Sequence, residues 1–162
     1  MYKTIKKNKK EKVYLIIHDG SNVLVGQGGK SCKKDRKGFH LPGGTKQDSE
    51  NEQGTAKREL KEETNIDLDV QGDNCAQSTV VYYGNTNVHF LVIKTPSVPE
   101  LVKKKGANSK IKKDENTWDE PFKVVTSKTI KECMDDFTVE NGTEWFGNGL
   151  QAAINSGLLK LE

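Results

Sequence analysis

The apolar positions of this chain fall into short branched runs of the kind strands use, and into two stripes with helical spacing. Lys12 to His18 is rich in branched residues around Tyr14, Asp19-Gly20-Ser21-Asn22 is a strong turn signal, and Val23 to Val25 resumes the apolar run. This pattern predicts a hairpin. Gly26 to Gly38 is rich in glycine and lysine and reads as a loop, after which Phe39-His40-Leu41 is a short extended piece ended by Pro42. Ala56, Leu60 and Thr64 form the first helical stripe. Ile66 to Val70 reads as a short strand and Gln71 to Asn74 as a turn. Ser78 to Tyr83 and Asn87 to Ile93, divided by Gly84-Asn85-Thr86, then read as a second hairpin of central strands. Thr95 to Thr117 holds two prolines and a lysine block with little periodicity, as expected of a long loop that covers a ligand or is disordered.

Phe122 to Val125 is a further strand candidate, and Ser127 or Thr129 can cap a short helix running through Met134. After a polar turn from Asp136 to Gly142, Thr143 is placed to cap a C-terminal helix that ends near Asn155 or Ser156, with Gly157 as its stop. Phe146, Leu150, Ala153 and Ile154 supply its apolar stripe. Hairpin, helix, strands and helix in this order predict an α/β (α+β) architecture, a mixed sheet with helices on its faces.

At 162 residues the chain is one domain's worth. We expect a mobile basic arm over residues 1–12 and a single domain over 13–160. Hydrophobic content of 33% and charged content of 30% describe a soluble protein with a modest core. The net charge of +3 hides an uneven distribution. Lysines crowd the first twelve residues, Lys30 to Lys37 and Lys103 to Lys113, whereas acidic residues crowd Asp48 to Asp69. Such runs are ordinarily solvated surface; the functional alternative is that a basic loop, with Arg36 as its arginine, meets the phosphates of an anionic ligand. Cys32, Cys75 and Cys133 are odd in number and without paired spacing, which argues for reduced thiols in a cytoplasmic protein and against a zinc site. No apolar stretch has the length of a membrane span, and nothing in the pattern speaks to oligomeric state.

The chemistry concentrates in Gly43 to Ile66, GGTKQDSENEQGTAKRELKEETNI. On a helix, Glu59, Glu62 and Glu63 fall within an arc of about 100°, beside the Ala56, Leu60 and Thr64 stripe. Like charges so spaced cost a helix a few tenths of a kcal/mol per pair, so the arrangement calls for a cation opposite. A hard divalent metal is the natural candidate.

The same stretch resembles the signature of the Nudix hydrolases, G-x5-E-x7-R-E-U-x-E-E-x-G-U with U aliphatic. Gly44, Glu50, Arg58, Glu59, Leu60, Glu62, Glu63 and Ile66 stand in the required places, preceded by Leu41-Pro42-Gly43, which family members often share. The second glycine of the signature is Asn65 here, a mild departure because asparagine is the next residue able to end a helix in the left-handed conformation. The resemblance implies an α/β/α sandwich and a hydrolase that cleaves a nucleoside diphosphate linked to another group, using Mg²⁺ or Mn²⁺ and a water. Adjoining phosphates carry several negative charges, so a carboxylate cluster needs intervening cations to approach them. By resemblance, Glu59, Glu62, Glu63 and the Gly43 carbonyl are expected to hold metal. Glu59 is alternatively the group that orients or deprotonates the water. In this family the base often lies in a later loop, which makes Glu120 the first candidate and Glu115 the second. Arg58 and Glu50 are expected to tie loop to helix, as structural support with Gly44.

The substrate is expected to be a nucleotide-type small molecule. Relatives that cleave ADP-ribose tend to carry a proline about fifteen residues beyond the signature, and dinucleoside polyphosphate hydrolases a tyrosine near there. This chain has Tyr82 and Tyr83 in that region, which leans toward a dinucleoside polyphosphate. Adjacent strand residues point to opposite faces, so at most one of them faces the site. Two alternatives stay open: a module that binds a nucleotide without cleaving it, and a hydrolase of RNA ends of the decapping type, suggested by the lysine runs and a pI near 8.6.

Overall fold

The computed structural model describes residues 10–27, 38–68, 75–104, 124–140 and 142–160. Within them the chain order is β1 (Lys10–His18), β2 (Asn22–Gln27), β3 (Phe39–His40), β4 (Gly43–Thr45), α1 (Glu52–Thr64), β5 (Cys75–Tyr83), β6 (Thr86–Lys94), α2 (Val98–Lys104), β7 (Val124–Thr129), α3 (Ile130–Asp136) and α4 (Glu144–Asn155). The described strands form one sheet ordered β3-β2-β1-β6-β5, with β4 added to β1 and β7 to β2. The sheet is mixed because β1 and β6 run parallel over nine residue pairs while the other pairings are antiparallel.

β1 is the hub. Its side chains alternate between two cores: Tyr14 and Ile16 join Phe90, Phe146 and Leu150 on one face, whereas Val13, Leu15 and Ile17 join Ala56, Leu60, Leu91 and Ile93 on the other. With α4 covering one face and α1 the other, the result is the α/β/α sandwich. Burial on both faces explains why β1 reads as a continuous apolar run instead of alternating.

The expected hairpins form, with His18 opposite Val23 in the first and Tyr83 opposite Thr86 in the second. β1 starts at Lys10, so the last three residues read as a basic arm belong to the strand. Residues 1–9 lie outside the described residues, as do 28–37 and the 71–74 turn.

Three further expectations change. Ile66 to Leu68 is irregular, not a strand, because burying Ile66 beneath α1 satisfies its apolar character without pairing. The stretch read as a long loop opens with α2, in which Ser97 accepts from the Glu100 amide and Asp19 accepts from the Val98 amide. Pro99 falls in the first turn, where a missing N–H costs nothing. Thr143 stands at the N-cap of α4 but makes no capping bond, since its hydroxyl is engaged with the backbone of Thr138. The capping expected of Thr129 does occur, as a reciprocal box with Glu132.

Gly149 lets α4 lie directly on β6, because a Cβ there would stand 2.3 Å from the ring of the fully buried Phe90. Gly149→Ala is therefore expected to destabilise by about 1–3 kcal/mol through overpacking, which outweighs the roughly 1 kcal/mol that alanine contributes as a better helix former. Urea denaturation measures it, and a midpoint at or above wild type would contradict the close contact.

Candidate active site

Local sequence dictates α1 and its ends. Asn51 caps it by accepting from the Gly54 amide at 2.8 Å, and Asn65 closes it in the left-handed region at φ 60°, its N–H bonded to the Lys61 carbonyl. Ala56 and Leu60 pack on the sheet. This fixes the rotation of the helix, and Glu59 and Glu63 consequently turn toward β4 instead of water.

β4 receives them because its first two residues are glycines. Gly43 adopts φ +150°, and a Cβ on it would lie 2.1 Å from the Val13 carbonyl oxygen, so the chain there admits no side chain. Its N–H donates to Glu63 Oε1 at 2.8 Å. A Cβ on Gly44 would stand 2.5 Å from the Glu59 carboxylate, so the bare backbone is what makes room for that group. Gly44 and Gly43 pair with Val13 and Tyr14 of β1, which anchors both to the rigid centre of the sheet.

Arg58 ties the parts together. Its Nε and one terminal nitrogen grip Glu50 at 2.7 and 2.9 Å, and that same terminal nitrogen donates to the Thr45 carbonyl at 3.2 Å. The other terminal nitrogen reaches Glu59 at 3.0 Å and Glu62 at 3.3 Å. Glu50 also accepts from the Gln47 amide and the Thr55 hydroxyl, which locks the loop ahead of α1. Arg58 thus bonds Glu50 in the loop and also two of the three acidic residues of the helix.

These surroundings pull the carboxyls apart. The Arg58 hydrogen bond, working against partial burial, holds Glu50 down at about 2. Burial pushes Glu59 up to about 7 despite Arg58, with Glu62 adding to the rise. Glu63 is raised well above the ordinary carboxylate range, first by burial and then by the charges of Glu59 and Glu62, against the Gly43 hydrogen bond. Glu50 in turn raises the Arg58 guanidinium.

Two desolvated carboxyls of raised pKa, with a third acidic residue on the same guanidinium, are a hard oxygen donor set short of positive charge, and that suits Mg²⁺ or Mn²⁺. Among the described residues, no three His, Cys, Asp or Glu side chains converge on one point. The donor types suit a divalent cation, but in this arrangement the carboxylates are turned to Arg58 and the Gly43 amide and not to a common point.

Tyr82 and Tyr83 diverge, as strand alternation requires. Tyr82 is 71% exposed, while Tyr83 stacks on Trp145 at 4.9 Å on the α4 side and accepts from Asn148. His40 is buried edge-on against Phe146. Cys133 is a free, buried thiol whose pKa burial raises to about 12. The expected bases Glu120 and Glu115 and Arg36 of the basic loop lie outside the described residues. Among the described residues, no helix is long and apolar enough to cross a membrane.

Arg58→Ala is expected to lower stability by on the order of 3 kcal/mol, because it strips Glu50 and Glu59 of their cation; an unchanged melting temperature would contradict the bracing role. The metal-free protein should also lose stability as pH rises. Between the ordinary 4.5 and about 7 the folded state keeps a proton on Glu59 that the unfolded chain has released, so each step up in pH favours unfolding. In excess chelator the melting temperature should fall from pH 5 to pH 8, and fall less in Glu59→Gln; a flat wild-type profile would contradict the burial of these groups.

A NUDIX domain model matches residues 9–121. No curated protein matches the chain in sequence. Among solved structures, a NUDIX hydrolase from Nitrosomonas europaea is 11% identical with a TM-score of 0.59, over 92% of this chain and 88% of that one. The ORF135 protein of E. coli is 16% identical with a TM-score of 0.53, over 91% of both chains. These two likenesses establish the fold. A bifunctional NMN adenylyltransferase/ADP ribose pyrophosphatase from Francisella tularensis, solved with AMP and a manganese ion, is 24% identical with a TM-score of 0.48, over 60% of this chain. This chain spans only 30% of that protein's length, and so partial a likeness carries no argument. The family model covers most of the chain, the sheet and helices are those of its members, and the acidic helix stands where the signature requires: the chain belongs to the Nudix family of hydrolases, which act on phosphoanhydride bonds.

Proposed function

We propose that this chain is a metal-dependent pyrophosphohydrolase that cleaves a nucleoside diphosphate linked to another group, a dinucleoside polyphosphate being the favoured form. The observation that carries the reading is the pair of buried carboxyls, Glu59 and Glu63, turned onto a strand of bare glycine backbone and braced through Arg58. A solvated acidic helix face would have neither the burial nor the glycines. The presence of every acidic residue of the signature also speaks against a silent binding module.

In this reading Glu59, Glu62, Glu63 and the Gly43 carbonyl hold the cation, with Glu63 the principal ligand. Bound Mg²⁺ or Mn²⁺ would supply positive charge to the phosphate oxygens and make a water more acidic. Arg58 acts as a positioning residue: by fixing Glu59 and Glu62 through one nitrogen and the preceding loop through the rest, it lets the acidic groups meet substrate without reorganising. The attacking water adds to one phosphorus, the bridging P–O bond breaks, and the water's proton passes to a carboxylate. Glu59 and, from the later loop, Glu120 are the candidates to receive it. Tyrosine at position 82 is what favours the dinucleoside polyphosphate.

Glu63→Gln should remain folded and lose more than about a hundredfold in turnover, since even outer partners of a metal ligand are worth 10–100-fold. Wild-type activity should vanish in excess chelator and return with Mg²⁺ or Mn²⁺. A panel of nucleoside diphosphate derivatives with mass analysis of the products reads out substrate and bond together. Full turnover in chelator, or an active Glu63→Gln, would overturn the proposal.

A further inference from the structure

The face of the sheet that α1 covers is apolar along Leu15, Ile17, Leu91 and Ile93, and becomes polar toward the start of β1 and β6. Val13 is the register partner of Gly44 on one side and of His89 on the other. Gly44, Val13 and His89 thus form one row on this face, and Glu11 and Asn87 lie side by side in the next row. Tyr82 follows as the partner of Asn87 on β5. Two strand spacings, about 10 Å, separate His89 from the glycine that packs on Glu59.

Glu11 is the centre of this polar group. It accepts from Asn87 at 3.2 Å and pairs with His89 Nε2, with side-chain exposures of 31% for Glu11 and 16% for His89. Burial raises its pKa, but the His89 and Asn87 bonds and the charges of His89 and Lys46 bring it below the ordinary value. The pairing holds the His89 ring in one orientation. Among the described residues, His89 Nδ1 and Asn87 Oδ1 carry no hydrogen bond and remain available to a ligand. The exposed ring of Tyr82 adjoins Asn87 across the strand pair.

We infer that Glu11, Asn87 and His89, with Tyr82 beside them, form the subsite that takes the nucleoside end of the substrate. The inference rests on the reading of Glu59 and Glu63 as the phosphate end. The Glu11 carboxylate makes this a poorer place for a phosphate than for an uncharged nucleoside. A nucleoside matches what is offered: fixed single hydrogen-bonding atoms for a base edge, an aromatic face for its ring, and a distance from the acidic groups on the scale of one nucleotide.

Calorimetric titration of the full chain with AMP, GMP, CMP and UMP, and with ribose 5-phosphate as the base-free control, tests this. Wild type should bind at least one nucleotide more tightly than ribose 5-phosphate. His89→Ala should weaken that nucleotide about tenfold or more, leave ribose 5-phosphate unchanged, and be partly rescued by His89→Gln. Because His89→Ala leaves Glu11 short of a partner and can cost folding, Tyr82→Ala, at an exposed position, provides a second variant with the same expected selectivity. Equal effects on nucleotide and control, no effect of any variant on either, or no nucleotide bound by wild type would overturn the inference. Nucleotide binding that depends on His89, in a protein without metal-dependent hydrolysis, would sink the proposed function and leave the subsite standing. Normal hydrolysis with His89→Ala as good as wild type on every nucleotide would do the reverse.

Discussion

The contact on which the site depends is the closure of α1 onto the glycine backbone of β4 with two carboxyls trapped between them. Desolvating Glu59 and Glu63 side by side is unfavourable, and the fold tolerates it because Gly43 donates to one and Arg58 to the other. Arginine suits the task in a way lysine would not. Its planar fork reaches Glu50, the Thr45 carbonyl, Glu59 and Glu62 from one rigid group, whereas an ammonium would have to choose among them. In the proposed function, a divalent cation would supply the positive charge that these carboxyls lack.

β1 supports this arrangement from beneath. It is buried on both faces over most of its length, pairs with β4 to hold the glycines, and pairs with β6 over nine residues. The acidic helix and the Glu11–His89 pair are therefore placed by the same strand, at fixed separation, on the same face. A strand used in this way transmits position without needing to move, which suits a site built on preorganisation.

Much of the site was readable in the chain alone, because its internal relations are local. Glu50 and Arg58 are eight residues apart, and the three glutamates share one helix whose caps, Asn51 and Asn65, are written beside it. Helical periodicity alone turns Ala56 and Leu60 inward and sets the acidic arc beside them. The hairpins and the C-terminal helix were legible for the same reason. α2 is hard to read from the chain because its proline and nearby lysines resemble a loop, although Ser97 and Glu100 mark a capped start.

The chain spells out the groups and their local spacing: an acidic helix, the glutamate and arginine beside it, and the family they identify. Which backbone those carboxyls meet and how far they are desolvated follow from packing between distant segments, so that burial pushes Glu59 up to about 7 while Arg58 holds Glu50 down at about 2. Tertiary structure also sets Glu11 against His89, 78 residues away, through the parallel pairing of β1 with β6. Periodicity encodes neighbours within a turn or a hairpin. Register between distant strands follows instead from the summed burial of whole faces, which no single residue records.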